Sequence, residues 1–168
     1  NEHLGDDQDN GLFRLIKWQL SGGSKPWARF LDDNLTADFS AVADASAATV
    51  SFINHATTLI RTADVTVITD PVFSERASPL KWLGPRRHRK AGALIKETPK
   101  VDVVAISHNH YDHMDIASLA AIQSIHRPLF AVPLGNKKHL GKIGNADIVE
   151  LDWWESASVN DSKITLVP

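Results

Sequence analysis

The stretch 107–115, SHNHYDHMD, is the part of the sequence that decides both the fold and the chemistry. It carries three histidines and an aspartate within six positions, His108, His110, Asp112 and His113. The residues just before it, 101–106 (VDVVAI), are apolar apart from one aspartate, which predicts a buried β-strand. Imidazole and carboxylate groups are ligands for divalent transition metals, and a short turn can hold them close together. The sequence therefore predicts a metal site in the loop that follows this strand.

The spacing within this loop predicts two groups of ligands. His108 and His110 are two positions apart, so in an extended segment their side chains point the same way and can share one metal. Asp112 and His113 come after the turn and can face a second metal nearby. Two such metals would generate hydroxide from bound water near neutral pH and hold an acyl or phosphoryl oxygen. The alternative, polar surface residues without a ligand, would suit a lone histidine better than this cluster.

The composition is that of a globular protein. At 168 residues the chain is long enough for one domain with its own core, and 43% hydrophobic with 23% charged residues is ordinary for such a domain. The net charge of −2 gives no reason to expect nucleic acid as a partner. The absence of cysteine excludes disulfides and thiolate ligands, and it fits a reducing, cytoplasmic location. No apolar run approaches the length of a membrane-spanning helix.

The order of predicted elements indicates an α/β fold. Apolar and β-branched runs predict strands at 49–53, 57–61, 65–69, 101–106, 129–132, 148–151 and 162–167. The short connection 61–64 predicts an antiparallel hairpin between the second and third of these strands. Helices are predicted at 116–125, where Asp115 serves as N-cap, and at 136–143. Strands followed by alternating strands and helices predict a mixed sheet covered by helices.

The chain is predicted to divide into a lead-in, residues 1–46, and a domain, residues 47–168. The lead-in contains a polar tail, a short amphipathic helix and an extended segment. The helix has an apolar face and a cationic face, so it either docks on the domain or makes a peripheral membrane contact through 12–20. In the domain, the irregular stretch 74–99 contains a basic run at 86–90, RRHRK. This run is either a solvated loop or a binding surface for an anionic head group.

Several motifs beyond the histidine-rich loop resemble one known family. They lie at 13–27, 54–57 (NHAT), 69–79 (TDPVFSERASP), 84–87 (GPRR) and 150–154 (ELDWW). With the His-x-His-x-Asp-His pattern they resemble the metallo-β-lactamase superfamily, and in particular its N-acyl-phosphatidylethanolamine phospholipase D-like branch. The resemblance implies the N-terminal half of an αββα sandwich, with a mixed, mostly antiparallel sheet and flanking helices. It also implies two divalent metal ions, zinc by expectation, with manganese or iron as alternatives.

The resemblance implies roles for the ligand loop and its supports. His108 and His110 would bind the first metal, while Asp112 and His113 would bind the second. Asp112 would also orient the attacking water. Two further residues, His55 and Asp70, would support the ligand loop from behind. For His55 the alternative is a satisfied histidine in the core.

Further expectations concern the substrate and the rest of the site. The substrate-contact candidates are Tyr111, Arg86 and Arg87, whereas Trp153 and Trp154 are expected to pack in the core or at its rim. The family's remaining ligands are implied to lie beyond Pro168, so a C-terminal half or a second chain would be needed, and this chain alone is expected to be inactive or nearly so. The implied activity is hydrolysis of N-acyl phosphatidylethanolamine or a related phosphodiester. The alternatives are a lactonase or other small-metabolite hydrolase, and a non-catalytic half-domain that acts as an interaction module.

Overall fold

The computed structural model describes residues 17, 21, 28, 30–32, 35–40, 47–80 and 82–168. The chain divides into two compact units, Asn1–Leu31 and Asp32–Pro168, and each is described by itself. In the first unit, the Ser21 N–H donates to the Lys17 carbonyl at 2.9 Å. Apart from Lys17, the predicted amphipathic segment 12–20 lies outside the described residues. The predicted division between residues 46 and 47 falls inside the second unit and stays a prediction.

Six strands of the second unit form one mixed sheet, in the order β1 to β6. They are β1 (Thr49–Asn54), β2 (Thr57–Arg61), β3 (Thr66–Thr69), β4 (Val103–Ala105), β5 (Leu129–Pro133) and β6 (Asp147–Leu151). The predicted hairpin is confirmed, since β2 and β3 are antiparallel, as are β1 and β2. The three pairings from β3 to β6 are parallel. The sheet is thus mixed, as predicted. The prediction that it is mostly antiparallel is wrong, because long crossover connections return each strand after β3 in the same direction.

A helix and a hairpin complete the layers. Helix α1 (Ile116–His126) connects β4 to β5, and Asp115 caps it as predicted, accepting from the Ala117 N–H at 3.2 Å. The strands β7 (Ser156–Val159) and β8 (Ser162–Thr165) form a separate antiparallel hairpin, of which the sequence predicted only the second strand.

The predicted helix at 136–143 is wrong in its extent. The structure has a short 3₁₀-helix, Lys137–Leu140, and Leu140 is its single buried residue. Gly141 follows this helix as its C-cap, and glycine has a low helix propensity, so the chain reaches the buried Ile143 without continuing the helix. A second 3₁₀-helix, Ile95–Glu97, lies within the stretch that was predicted to be irregular.

The core fills both faces of the central strands. On one face, Leu119 and Ile122 of α1 pack with Val104 and Phe130, all of them at most 1% exposed. On the other face, Val103 joins a smaller apolar cluster with residues of the β7–β8 hairpin. Because successive strand residues point to opposite faces, burial on both sides explains the unbroken apolar run before the ligand loop.

Trp153 and Trp154, which were expected to pack in the core or at its rim, belong to neither of the two core clusters. They are 61% and 71% exposed, in a tight turn directly after β6. The turn is closed by the Glu155 N–H, which donates to the Asp152 carbonyl at 3.0 Å, and Trp154 has a left-handed φ of 68°. This turn carries both indoles out to the surface. Among the described residues, no helix combines the length and apolar character needed to cross a membrane.

Candidate metal centre

Three parts of the sheet bring the predicted site residues together. The β1–β2 turn carries His55, the end of β3 carries Asp70, and the loop after β4 carries His108 to His113. His55 and Asp70 have left-handed φ angles of 43° and 36°, which residues with a Cβ seldom adopt. Such conformations persist only where surrounding contacts hold them, and they concentrate at functional sites.

Asp70 lies at the centre of the contacts that shape the ligand loop. Its side chain is 8% exposed and accepts hydrogen bonds from the backbone N–H of Ser107 at 2.7 Å and the Ser107 hydroxyl at 2.6 Å. The same carboxylate lies 2.9 Å from Nδ1 of His113. The loop itself closes as a turn, in which the N–H of Met114 donates to the His110 carbonyl at 2.7 Å. This geometry agrees with the supporting role predicted for Asp70, which stays a prediction.

His108 and His110 form the first donor pair. Nδ1 of His108 lies 2.9 Å from the Ser107 hydroxyl oxygen, while its Nε2 lies 3.2 Å from Nδ1 of His110. Two nitrogen ligands at the usual distance from one tetrahedral zinc ion stand about 3.3 Å apart. The two nitrogens therefore have a separation that suits one shared metal ion.

His55, Asp112 and His113 form the second donor group. One potential ligand atom from each lies within 4.8 Å of the others. Nε2 of His55 lies 3.1 Å from Oδ2 of Asp112, and Nε2 of His113 lies 3.7 Å from the same oxygen. The side chain of His55 is 54% exposed, so it is not a core histidine. Sequence reasoning assigned His55 to the support of other ligands, whereas here it presents its own nitrogen beside them.

The surroundings of Asp112 favour its ionised form. Partial burial acts to raise the pKa, but a backbone hydrogen bond and the neighbouring His113 and His55 outweigh it. The pKa of Asp112 therefore lies below the ordinary value for an aspartate. An ionised carboxylate is a better metal ligand and a better hydrogen-bond acceptor than a protonated one.

A cavity of about 660 Å³ adjoins the second donor group. Tyr111, which is 54% exposed, lines it together with Arg86 and Arg87. Arg86 is exposed and pairs with Glu75 at 3.3 Å. Arg87 instead donates to backbone carbonyl groups, those of Val72 at 3.1 Å and Ser74 at 2.7 Å. Of the two arginines predicted to contact substrate, Arg86 is the one whose side chain lies in solvent.

The mixed sheet, with its donor groups at the carboxyl end of β4, defines a metallo-β-lactamase-type fold. The family model described as beta-lactamase superfamily domain matches residues 65–168, and the chain belongs to this family. This membership confirms the resemblance inferred from the sequence motifs, and it puts the chain in a superfamily of metal-dependent hydrolases.

Similar proteins agree with this membership. An uncharacterized protein of Mycobacterium tuberculosis is 39% identical over 165 residues, which are 95% of this chain and 44% of that protein. The N-acyl-phosphatidylethanolamine-hydrolyzing phospholipase D 1 of Caenorhabditis elegans is 30% identical, over 92% of this chain and 47% of that enzyme. The chain thus spans less than half the length of these relatives. Among solved structures, the diiron β-hydroxylase CmlA from Streptomyces venezuelae has a TM-score of 0.52 and 25% identity, over 72% of this chain and 24% of that one.

Proposed function

We propose that the protein is a metal-dependent hydrolase that cleaves a phosphodiester, with N-acyl phosphatidylethanolamine or a related lipid as substrate. The observation that carries the proposal is the pair of adjacent donor groups, His108 with His110 and Asp112 with His113, beside a cavity that an exposed arginine lines. The similarity to the Caenorhabditis elegans phospholipase D supports the substrate class.

The donor atoms support a centre of two divalent metal ions. His108 Nε2 and His110 Nδ1 would hold the first metal, and Asp112 with His113 would hold the second. When bound, the metals would supply a hydroxide near neutral pH and stabilise charge on the phosphoryl oxygens. Zinc suits a site of imidazole and carboxylate, while manganese and iron are the alternatives. The similarity to a diiron enzyme favours iron among those alternatives.

The chain's own residues would set the protonation of the ligands. Asp70 accepts the Nδ1–H of His113, which leaves Nε2 of that ring as a lone-pair donor. The Ser107 hydroxyl donates to Asp70 and can accept the Nδ1–H of His108, which leaves the Nε2 of His108 free as well. Asp112, with its lowered pKa, would accept a hydrogen bond from the attacking water and orient it.

The cavity would receive the anionic head group. Arg86 would contact the phosphoryl oxygens by exchanging its exposed pairing with Glu75 for the substrate. Tyr111 would pack against the substrate at the rim of the cavity. We further propose that the rest of the ligand set comes from additional chain or from a second chain, that the protein is cytoplasmic, and that residues 12–20 contact the membrane surface.

The test measures hydrolysis by the zinc-loaded protein of N-acyl phosphatidylethanolamine in vesicles and of a soluble lactone. Release of N-acylethanolamine and phosphatidate, quantified by mass spectrometry, is the expected result in the protein that carries the full ligand set. The His108→Ala, His110→Ala double variant is the control, and it should release neither product. Hydrolysis of the lactone without release of N-acylethanolamine from the vesicles would instead support a small-metabolite hydrolase. If the protein retains no zinc, manganese or iron after supplementation, both hydrolase hypotheses fail and the non-catalytic interaction module is supported instead.

A further inference from the structure

Residues 70–74 (DPVFS), the bridging segment, lie between the two loops that carry the donor groups. The segment has no regular secondary structure, yet each of its four backbone N–H groups donates a hydrogen bond. Asp70, at its start, bonds to Ser107 and His113 in the loop after β4. The segment therefore contacts the ligand loop directly, and its position decides where Asp70 lies.

The bridging segment is bonded to the turn that carries His55. Asn54, immediately before His55, donates its side-chain amide to the Val72 carbonyl at 3.0 Å. Thr57, two residues after His55, donates its hydroxyl to the Asp70 carbonyl at 2.8 Å and accepts from the Val72 N–H at 3.1 Å. Both sides of the turn are thus attached to the same short segment.

The other end of the segment is bonded to the end of the ligand loop. The Ser74 N–H donates to the Asp115 carboxylate at 3.1 Å, and the Phe73 N–H donates to the Ser118 hydroxyl at 2.8 Å. Asp115 stands two residues after His113 and caps α1. The bridging segment therefore holds the ligand loop at its beginning, through Asp70, and at its end, through Asp115.

Arg87 is the side chain that holds the segment from outside. Its Nη2 donates to the carbonyls of Val72 and Ser74 at 3.1 and 2.7 Å, and its Nε donates to the Ser74 carbonyl at 3.0 Å. The Val72 carbonyl consequently accepts from both Asn54 and Arg87. A guanidinium presents these donors in one rigid plane, which an ammonium group cannot do.

We propose that Arg87 is a positioning residue for the candidate metal centre. By fixing the bridging segment, it sets the place of Asp70 against His113 and of the His55 turn against Asp112. It acts through backbone carbonyls and needs no contact with substrate. The predicted effect of Arg87 on metal binding rests on the proposed function, whereas its predicted effect on the position of the ligand loop does not.

The experiment compares Arg87→Met and Arg87→Lys with Arg86→Met, a matched change at the neighbouring, exposed arginine. Co²⁺ is titrated into each variant, and the dissociation constant and the visible absorption spectrum are recorded. We expect Arg87→Met to weaken Co²⁺ binding by about 10- to 100-fold and to alter the spectrum, as loss of a group that orients ligands does. Arg87→Lys keeps the charge but loses the planar fork, so it should restore only part of the affinity. Arg86→Met should leave the Co²⁺ dissociation constant and the spectrum unchanged, because the exposed Arg86 side chain pairs with Glu75 rather than with the bridging segment.

Hydrogen exchange of the metal-free proteins provides the second arm. We expect faster exchange of amides in 72–74 and 107–115 in Arg87→Met, and no change in Arg86→Met. If the unchanged protein binds no Co²⁺ while these amides still respond, the metal site fails and the positioning role stands. Equal affinity, spectrum and exchange in folded Arg87→Met and Arg86→Met would overturn the proposal. It is also overturned if neither Arg87 variant folds, because Arg87 is then needed for the whole fold.

Discussion

Histidines lie beside both ends of strand β4, and their ring nitrogens have different partners at the two ends. At the carboxyl end of β4, ring nitrogens of His108 and His113 face other donor atoms beside a cavity. Near the amino end of β4, Nδ1 of His126, the last residue of α1, accepts from the Val101 N–H at 3.3 Å, and its Nε2 lies 3.2 Å from the Thr98 hydroxyl. The histidines after β4 have ring nitrogens that face other ligand atoms, whereas both ring nitrogens of His126 have hydrogen-bond partners in neighbouring loops. The arrangement of neighbouring donors, rather than residue type, therefore separates a candidate metal ligand from a structural histidine.

The largest effect should come from removing the first donor pair. In the His108→Ala, His110→Ala double variant, we expect zinc affinity to fall more than about 100-fold, because two of the imidazole ligands are lost. Isothermal titration calorimetry with Zn²⁺ measures this change. The control is His126→Gln with His139→Gln, which removes two histidines elsewhere and should leave affinity within about twofold. Equal losses in both double variants would erase the contrast between the two ends.

The next effect concerns the carboxylate that joins the two donor groups. Asp70→Asn should weaken zinc binding by about 10- to 100-fold, since the amide no longer fixes His113 as the carboxylate does. It should also lower the free energy of unfolding by about 1–3 kcal/mol, because the amide keeps only one of the two oxygens that accept from the Ser107 N–H and hydroxyl. Titration with Zn²⁺ and urea unfolding measure the two quantities. Asp161→Asn, in the exposed turn between β7 and β8, is the control, and an Asp70 variant that behaves like it would remove Asp70 from the site.

The sequence predicts best what is local. The His108–His110 pair follows from a spacing of two, and the cap at Asp115 follows from its place just before an apolar helix. The approach of His55 to Asp112 joins residues 57 positions apart, and it depends on the sheet order β1-β2-β3-β4. No local pattern contains that order, so this approach could not be predicted from spacing; the supporting role of His55 was implied by the family resemblance and stays a prediction.

Arg87 and the parallel strands show the same limit. The basic run predicted contact with an anion, but whether an arginine donates to solvent or to carbonyls depends on which loop lies beside it. Parallel or antiparallel pairing depends likewise on how a long connection crosses the sheet, which strand patterns do not specify. Tertiary packing made these choices, so they could not be derived from periodicity or composition.

A smaller effect should separate stability from metal binding at the carboxyl end itself. Asp115→Ala removes the N-cap of α1 and the acceptor of the Ser74 N–H, and we expect a loss of about 1–2 kcal/mol in unfolding free energy. Zinc affinity should fall less than in Asp70→Asn, because Asp115 contacts no donor ring. Urea unfolding measures the loss, with Ser124→Ala on α1 as control. A loss of zinc affinity as large as that of Asp70→Asn would place Asp115 among the groups that hold the ligands.

The smallest effect lies at the amino end, where the expected readout is pH dependence. Burial lowers the pKa of His126, and a backbone hydrogen bond with Ile95 opposes this only in part. Above the unfolded pKa of about 6.5, both states are neutral and the contribution of His126 to stability is complete. As the pH falls below that value, the unfolded chain takes up a proton first, so stability declines until the folded pKa is passed. Urea unfolding between about pH 8 and pH 5 should show a shallower decline in His126→Gln than in the exposed control His139→Gln. An unchanged slope in His126→Gln would mean that this histidine is not held neutral by its surroundings. Zinc affinity unchanged in the same variant would keep its role distinct from that of the histidines after β4.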